Sequence, residues 1–196
     1  QNIYSHDPRT QFQNVSLFSM GAYGYAADTK GYTYGVVAEW YQDDWILKAA
    51  RLAMPTVPNT AQLDYTLTQD YGNQIEVTHK HKILDKPGAF RVLYFKQYAF
   101  MGSYQNAVNL AQQIGNTPPN VTLVRQAGQS SWGYGLNLEQ AINENIGVFG
   151  RWSWNPGSTE TQTVDISNSL SGGLNIKGSN WSRPADTLGI GYAING

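Results

Sequence analysis

Residues 132–154 read WGYGLNLEQAINENIGVFGRWSW, and the periodicity of this stretch decides the fold. Trp132, Tyr134, Leu136 and Leu138 alternate with Gly133, Gly135, Asn137 and Glu139. After Asn143-Glu144-Asn145 the pattern resumes: Ile146, Val148, Trp152 and Trp154 alternate with Gly147, Arg151 and Ser153, with Phe149 the exception. Period-two alternation on both sides of a short polar turn describes an antiparallel hairpin with one apolar and one polar face. Each arm has about the 9 to 11 residues that a tilted strand needs to cross a bilayer.

The same pattern continues in both directions. Eight strands are expected, at 33–42, 45–54, 73–83, 89–101, 132–142, 146–154, 166–177 and 187–195. Within each pair the link is brief, at 43–44, 85–88, 143–145 and 178–186; between pairs it is long. Short turns at one end and long loops at the other are the connectivity of a transmembrane antiparallel barrel. In the first strand Tyr34, Val36, Ala38 and Trp40 oppose Thr33, Gly35 and Glu39, with Val37 and Tyr41 on the second face. In the last, Leu188, Ile190, Tyr192 and Ile194 oppose Thr187, Gly189, Gly191, Ala193 and Asn195.

Two strands break the pattern. Lys48 and Arg51 have opposite parity, so one of them faces lipid, sits at its interface, or follows a bulge. Lys96 interrupts an apolar row of Phe90, Val92, Tyr94, Tyr98 and Phe100. At the bilayer midplane a lysine costs about 2 to 4 kcal/mol, and less near an interface, where its stem can snorkel.

A soluble sandwich or barrel also alternates, with its apolar face inward. Composition favours the membrane form. Charged residues make up 14% of the chain, against about 25% in ordinary soluble domains. Trp and Tyr near strand ends suit interfacial girdles, and 20 Gly suit an uncluttered lumen face. The two forms differ in one observable: the membrane barrel puts Trp40, Leu136 and Ile190 outside, and the soluble form puts them in a dry centre.

Other classes are disfavoured. A net charge of −1 exerts no pull toward nucleic acid, and the lack of Cys excludes disulfides and thiolate metal sites. No apolar run reaches the 18 residues of a membrane-spanning helix. No P-loop or G-x-S-x-G occurs, His79 and His81 fall on the lipid or interfacial face, and no catalytic residue, metal site or cofactor is expected. Asp43-Asp44 reads as a turn. The chain is read as one partial barrel domain, 1–196, with 1–32 a loop or constriction segment and 33–196 the strands; it starts among loop-like residues and stops on the heels of a strand, as an internal segment would.

Several short motifs resemble one family. DPRTQF at 7–12, YAADT at 25–29, GYTYG at 31–35, Met54-Pro55, MGSY at 101–104, YGLNLEQ at 134–140 and WSRPADTLG at 181–189 occur in the order and spacing of the carbohydrate-selective porins, OprB type, of Gram-negative outer membranes. The sequence departs from the pattern at Ala185, where an acidic residue is expected, and at His79 and His81, where aromatics are expected. The resemblance implies an all-β antiparallel transmembrane barrel of about 16 strands, of which this chain supplies about eight, with a short helix in a long loop. It also implies a bacterial outer-membrane location, small sugars and other small solutes as cargo, and contact with outer-membrane lipid; a homotrimer is compatible with it, and nucleic acid is not a partner.

The chemistry of such a protein lies in its pore lining. Parity assigns Glu39, Lys48, Glu76, Lys80, Lys82, Arg91, Glu139, Arg151 and Lys177 to the lumen. Charges of both signs on a wet wall order water and offer hydrogen bonds to sugar hydroxyls; many of them also simply pair with neighbouring strands. In the first segment Asp7-Pro8 reads as a helix start, which would place Arg9 and Gln11 as polar hands in a constriction. In the long connection after Met101, Ala107, Leu110, Ala111 and Ile114 share one helical face and Gly115 stops it. The expected function is passive, carbohydrate-preferring diffusion. The alternative is a small closed eight-stranded outer-membrane barrel with a structural or glycan-binding role.

Overall fold

The computed structural model describes residues 2–115, 117–161 and 165–196. Eight strands form one antiparallel sheet in chain order: β1 (Gly35–Gln42), β2 (Trp45–Ala53), β3 (Tyr71–Ile83), β4 (Lys86–Gly102), β5 (Arg125–Ala141), β6 (Ile146–Trp154), β7 (Asn168–Lys177) and β8 (Thr187–Asn195). β1 and β8 do not pair with each other, so the sheet is open, unlike the small closed barrel considered above.

The bounds of β6 and β8 coincide with the expected ones. Two differences have physical causes. The turn expected at 85–88 is instead Leu84-Asp85, both left-handed with φ of 49° and 59°, which is how a two-residue hairpin follows the twist of its strands. Pro87 and Gly88 lie inside β4, opposite Lys82 and His81; proline is tolerated there because it sits in the first residues of the strand. β5 begins seven residues before the expected start, since the polar run QAGQSS at 126–131 shows no alternation yet pairs with β4. Ala127 and Gly128 oppose the single Phe100 in a bulge, with Gly128 at φ 76°.

Ladder register sorts the side chains onto two faces. Tyr41, Ile46, Thr78, Arg91, Asn137, Arg151, Ser171 and Ala193 form one row across all eight strands; Lys48, Glu76, Leu93, Gly135, Ser153, Ser169 and Asn195 form another on the same side. Residues 2–32, with the short helix α1 (Val15–Phe18), lie over this face. The opposite face carries the apolar rows and nothing covers them among the described residues. Trp40 is 55% exposed, Ile190 57% and Tyr192 71%, and Leu136 is half-buried. An uncovered apolar face eight strands wide far exceeds the few hundred Å² that a soluble monomer shows to water. Polarity is inverted as the membrane reading requires. No helix among the described residues is long and apolar enough to cross a membrane.

Among the described residues, two small clusters of buried apolar side chains lie beneath the first segment. One joins Ala26, Met54, Ala99 and Met101, with Leu52 against it; the other joins Met20, Leu93 and Phe95, with Tyr23 against it. In the β4–β5 connection, helix α2 (Tyr104–Gln113) is capped by Ser103 and buries Ala107 and Ala111, while Leu110 and Ile114 stay more exposed. No helix follows Asp7-Pro8. A single turn forms there, closed by the Gln11 N–H donating to the Asp7 carbonyl at 2.9 Å.

Candidate functional site

Residues 2–32 contain little regular structure, so their backbone groups need partners elsewhere. The polar wall supplies them. Asn2 donates to the Asn137 side chain at 2.7 Å, and the Ile3 N–H donates to the Glu139 carboxylate at 2.7 Å. Asn175 reaches the Tyr4 carbonyl at 2.8 Å. The Arg151 guanidinium donates to the carbonyls of Ser5 and Leu17. Ser153 accepts from the Ala22 N–H at 2.9 Å, Asn155 donates to the Ala22 carbonyl at 2.9 Å, and Gln97 donates to that of Gly24. Asn195 bonds Ser16 at 3.0 Å, and Tyr23 donates to Gln74. The segment is thus fastened by side chains from β3 to β8.

Glycines on this face make the seating possible. A Cβ at Gly147 would run into the Tyr4 ring, and one at Gly135 into Met20. The glycines that read as keeping a lumen clear instead receive the side chains of the segment.

Between the segment and the β1–β3 wall a groove of about 540 Å³ remains. Its wall carries Glu39 and Lys48, paired at 2.9 Å, with Gln74 and Glu76; Tyr23 and Tyr25 face them from the segment. Burial raises the pKa of both tyrosines, with Glu76 adding to the effect at Tyr23, so the phenols stay protonated hydrogen-bond donors. Toward the short turns a second cavity of about 640 Å³ is lined by Lys80, Lys82, Arg91 and Glu139. There the Arg91–Glu139 pair, 2.9 Å apart and under 10% exposed, holds a carboxylate that also binds Ile3.

The family model for the carbohydrate-selective porins, OprB family, matches residues 1–196. The chain belongs to that family. The high-pH structure of Pseudomonas putida OprB shares its fold, with a TM-score of 0.63 and 17% sequence identity over 82% of this chain and 39% of that one. The chain therefore spans well under half the length of that porin. No curated protein matches it.

In this porin segment the strand residues that parity assigned to the lumen lie on the covered face, among them Glu39, Lys48, Glu76, Lys80, Arg91, Glu139 and Arg151. Lys82 and Lys177 share it. Glu39, Lys48, Glu76 and Arg151 line one groove; Lys80, Arg91 and Glu139 line the other. The two residues of the first segment are placed differently from expectation. Gln11 is no free hand: its carbonyl oxygen accepts from the His6 and Asp7 N–H groups and its amide donates to the Ile3 carbonyl. Arg9 is exposed and borders neither groove. The neighbouring Asp7 carboxylate is engaged by the Thr10 hydroxyl and the Arg9 N–H, contacts that hold it below its usual pKa. Residues that parity could not reveal are Asn2, His6, Tyr23 and Tyr25, which enter the groove from outside the strands.

Proposed function

We propose that this chain is part of the wall of a water-filled outer-membrane pore through which small carbohydrates diffuse passively, without a chemical step. The observation that carries this reading is the groove beside the first segment, where an acid–base pair, two amide or carboxylate side chains and two tyrosines face one another. A neutral sugar passing there exchanges water for hydrogen bonds to Glu39, Lys48, Gln74 and Glu76, and its C–H surface meets the tyrosine rings. Residues 2–32 narrow the passage. The remaining wall comes from further strands, because open edges at β1 and β8 would leave unpaired backbone groups in lipid. Single-channel recording on the complete barrel tests this. Added small sugars should reduce the current, and Tyr23→Leu with Glu76→Gln should weaken that block several-fold, while Arg9→Ala leaves it unchanged. Block lost on Arg9→Ala alone would move the constriction to the turn at residues 7–11.

A further inference from the structure

The two cations that broke the alternation lie together on the open face. Register aligns Arg51, Asn73, Lys96 and Trp132 in one row across β2 to β5, toward the ends that carry the long connections. Arg51 and Lys96 stand two strand spacings apart, roughly 9 to 10 Å between backbones. Each is backed by a tyrosine: the Arg51 guanidinium sits 3.9 Å from the centre of the Tyr71 ring, and the Lys96 ammonium 4.9 Å from that of Tyr98. The two rings are themselves 5.2 Å apart.

The strands place cations but no carboxylate on this face. The strand carboxylates Glu39, Glu76 and Glu139 all lie on the covered face. Of the other cations whose strands reach the open side, Lys86 pairs with Glu144 and Arg125 with Glu160. Among the described residues Arg51 and Lys96 have no carboxylate partner. Immediately beyond Tyr71 and Tyr98 lies a groove of about 600 Å³ rimmed by Thr56, Thr68 and Gln69; the Asp70 carboxylate in its lining is buried and accepts from the Phe100 N–H at 2.9 Å. Cations, rings and hydroxyl-rich groove form one continuous surface.

We propose that this surface binds the headgroup of a phosphorylated glycolipid in the leaflet on the long-connection side. The phosphate bridges Arg51 and Lys96, with Asn73 between them, and the sugar occupies the groove beyond the tyrosines. Rings that hold the cationic heads in place lower the cost of ordering them, and an anionic headgroup supplies the missing counter-charge. Acyl chains then run down the apolar rows of Tyr94, Val92 and Leu136. The inference rests on the reading of the open face as lipid-facing.

Native mass spectrometry on the delipidated complete barrel, titrated with bisphosphorylated lipid A, its dephosphorylated form or phosphatidylglycerol, tests it. The phosphorylated glycolipid should bind tightest. Arg51→Gln with Lys96→Gln should weaken it on the order of thirtyfold, and either single variant about fivefold. The single variants decide the matter if the double variant does not fold. Equal binding of dephosphorylated lipid A, equal binding of phosphatidylglycerol, or unchanged affinity in the variants overturns the proposal. So does equal thermal stabilisation of the barrel by inorganic phosphate, since that marks a free-anion site. Quenching of Trp132 by brominated lipids reports the underlying assumption separately. Quenching without headgroup discrimination overturns the headgroup site alone, whereas absent quenching overturns the lipid-facing reading as well.

Discussion

At the scale of single residues, two ion pairs of equal length carry different weight. Arg91–Glu139 and Lys48–Glu39 are both 2.9 Å long, but the first is under 10% exposed and the second about a third exposed. Removing one partner of a buried pair strands the other charge, at about 3 to 5 kcal/mol, whereas an exposed pair is screened by water and contributes little. Glu139→Gln should therefore destabilise the complete barrel markedly in denaturant titration, and Glu39→Gln hardly at all; equal shifts would contradict the burial argument. Asp64 carries a pH dependence. Burial pushes its carboxyl up, but hydrogen bonds from the Asp70, Thr66 and Gln69 N–H groups and the Thr66 hydroxyl outweigh that and bring it down to about 2. A carboxyl depressed on folding stabilises fully above its unfolded pKa near 3.9 and loses that contribution as pH falls through about 2. Protection of the Thr66, Gln69 and Asp70 amides, their exchange relative to the intrinsic rate at the same pH, should be high at pH 5 and fall between about pH 4 and pH 2. Asp64→Asn should show the lowered protection already at pH 5.

Among the elements, the first segment is held by complementarity rather than by its own secondary structure. Tyr4 fits because position 147 lacks a Cβ, so Gly147→Leu should lift residues 2–13 from the wall. Limited proteolysis would then cut near Arg9, in a turn resistant in the parent, while the strands keep their mobility on gels. Gly150→Ala is the control, since a Cβ there meets nothing within 4 Å. This element also marks where the sequence stops being informative. Strands β6 and β8 were legible to the residue because alternation is local and survives in every pair of neighbours. The first seven residues of β5 were not, since their pairing partner in β4 is far away in the chain and their own composition is polar. The wall charges were legible by parity, but the contacts of Asn2, Tyr4 and Tyr23 with Asn137, Asn175 and Gln74 join residues 51 to 171 positions apart. A signal was present: glycine at 133, 135, 147, 189 and 191 on a polar face marks a surface that something must approach closely.

For the molecule as a whole, the open sheet ties stability to closure. Each of β1 and β8 presents one side of its backbone to no partner, and in hydrocarbon every such unpaired group costs several kcal/mol. Side-chain contacts of the first segment cannot offset this, because they lie on the covered face and leave both edges bare. The 196-residue chain alone should therefore associate through its edges in detergent and give no discrete conductance steps. The complete barrel, with those edges paired, should migrate faster on gels before boiling than after and give uniform steps. Complementation separates edge pairing from simple aggregation: adding strands that pair with β1 and β8 as a second polypeptide should restore both the gel shift and the conductance. Uniform conductance from the isolated chain would instead show that β1 and β8 can close on each other, and the pore would then be narrower than the groove described above.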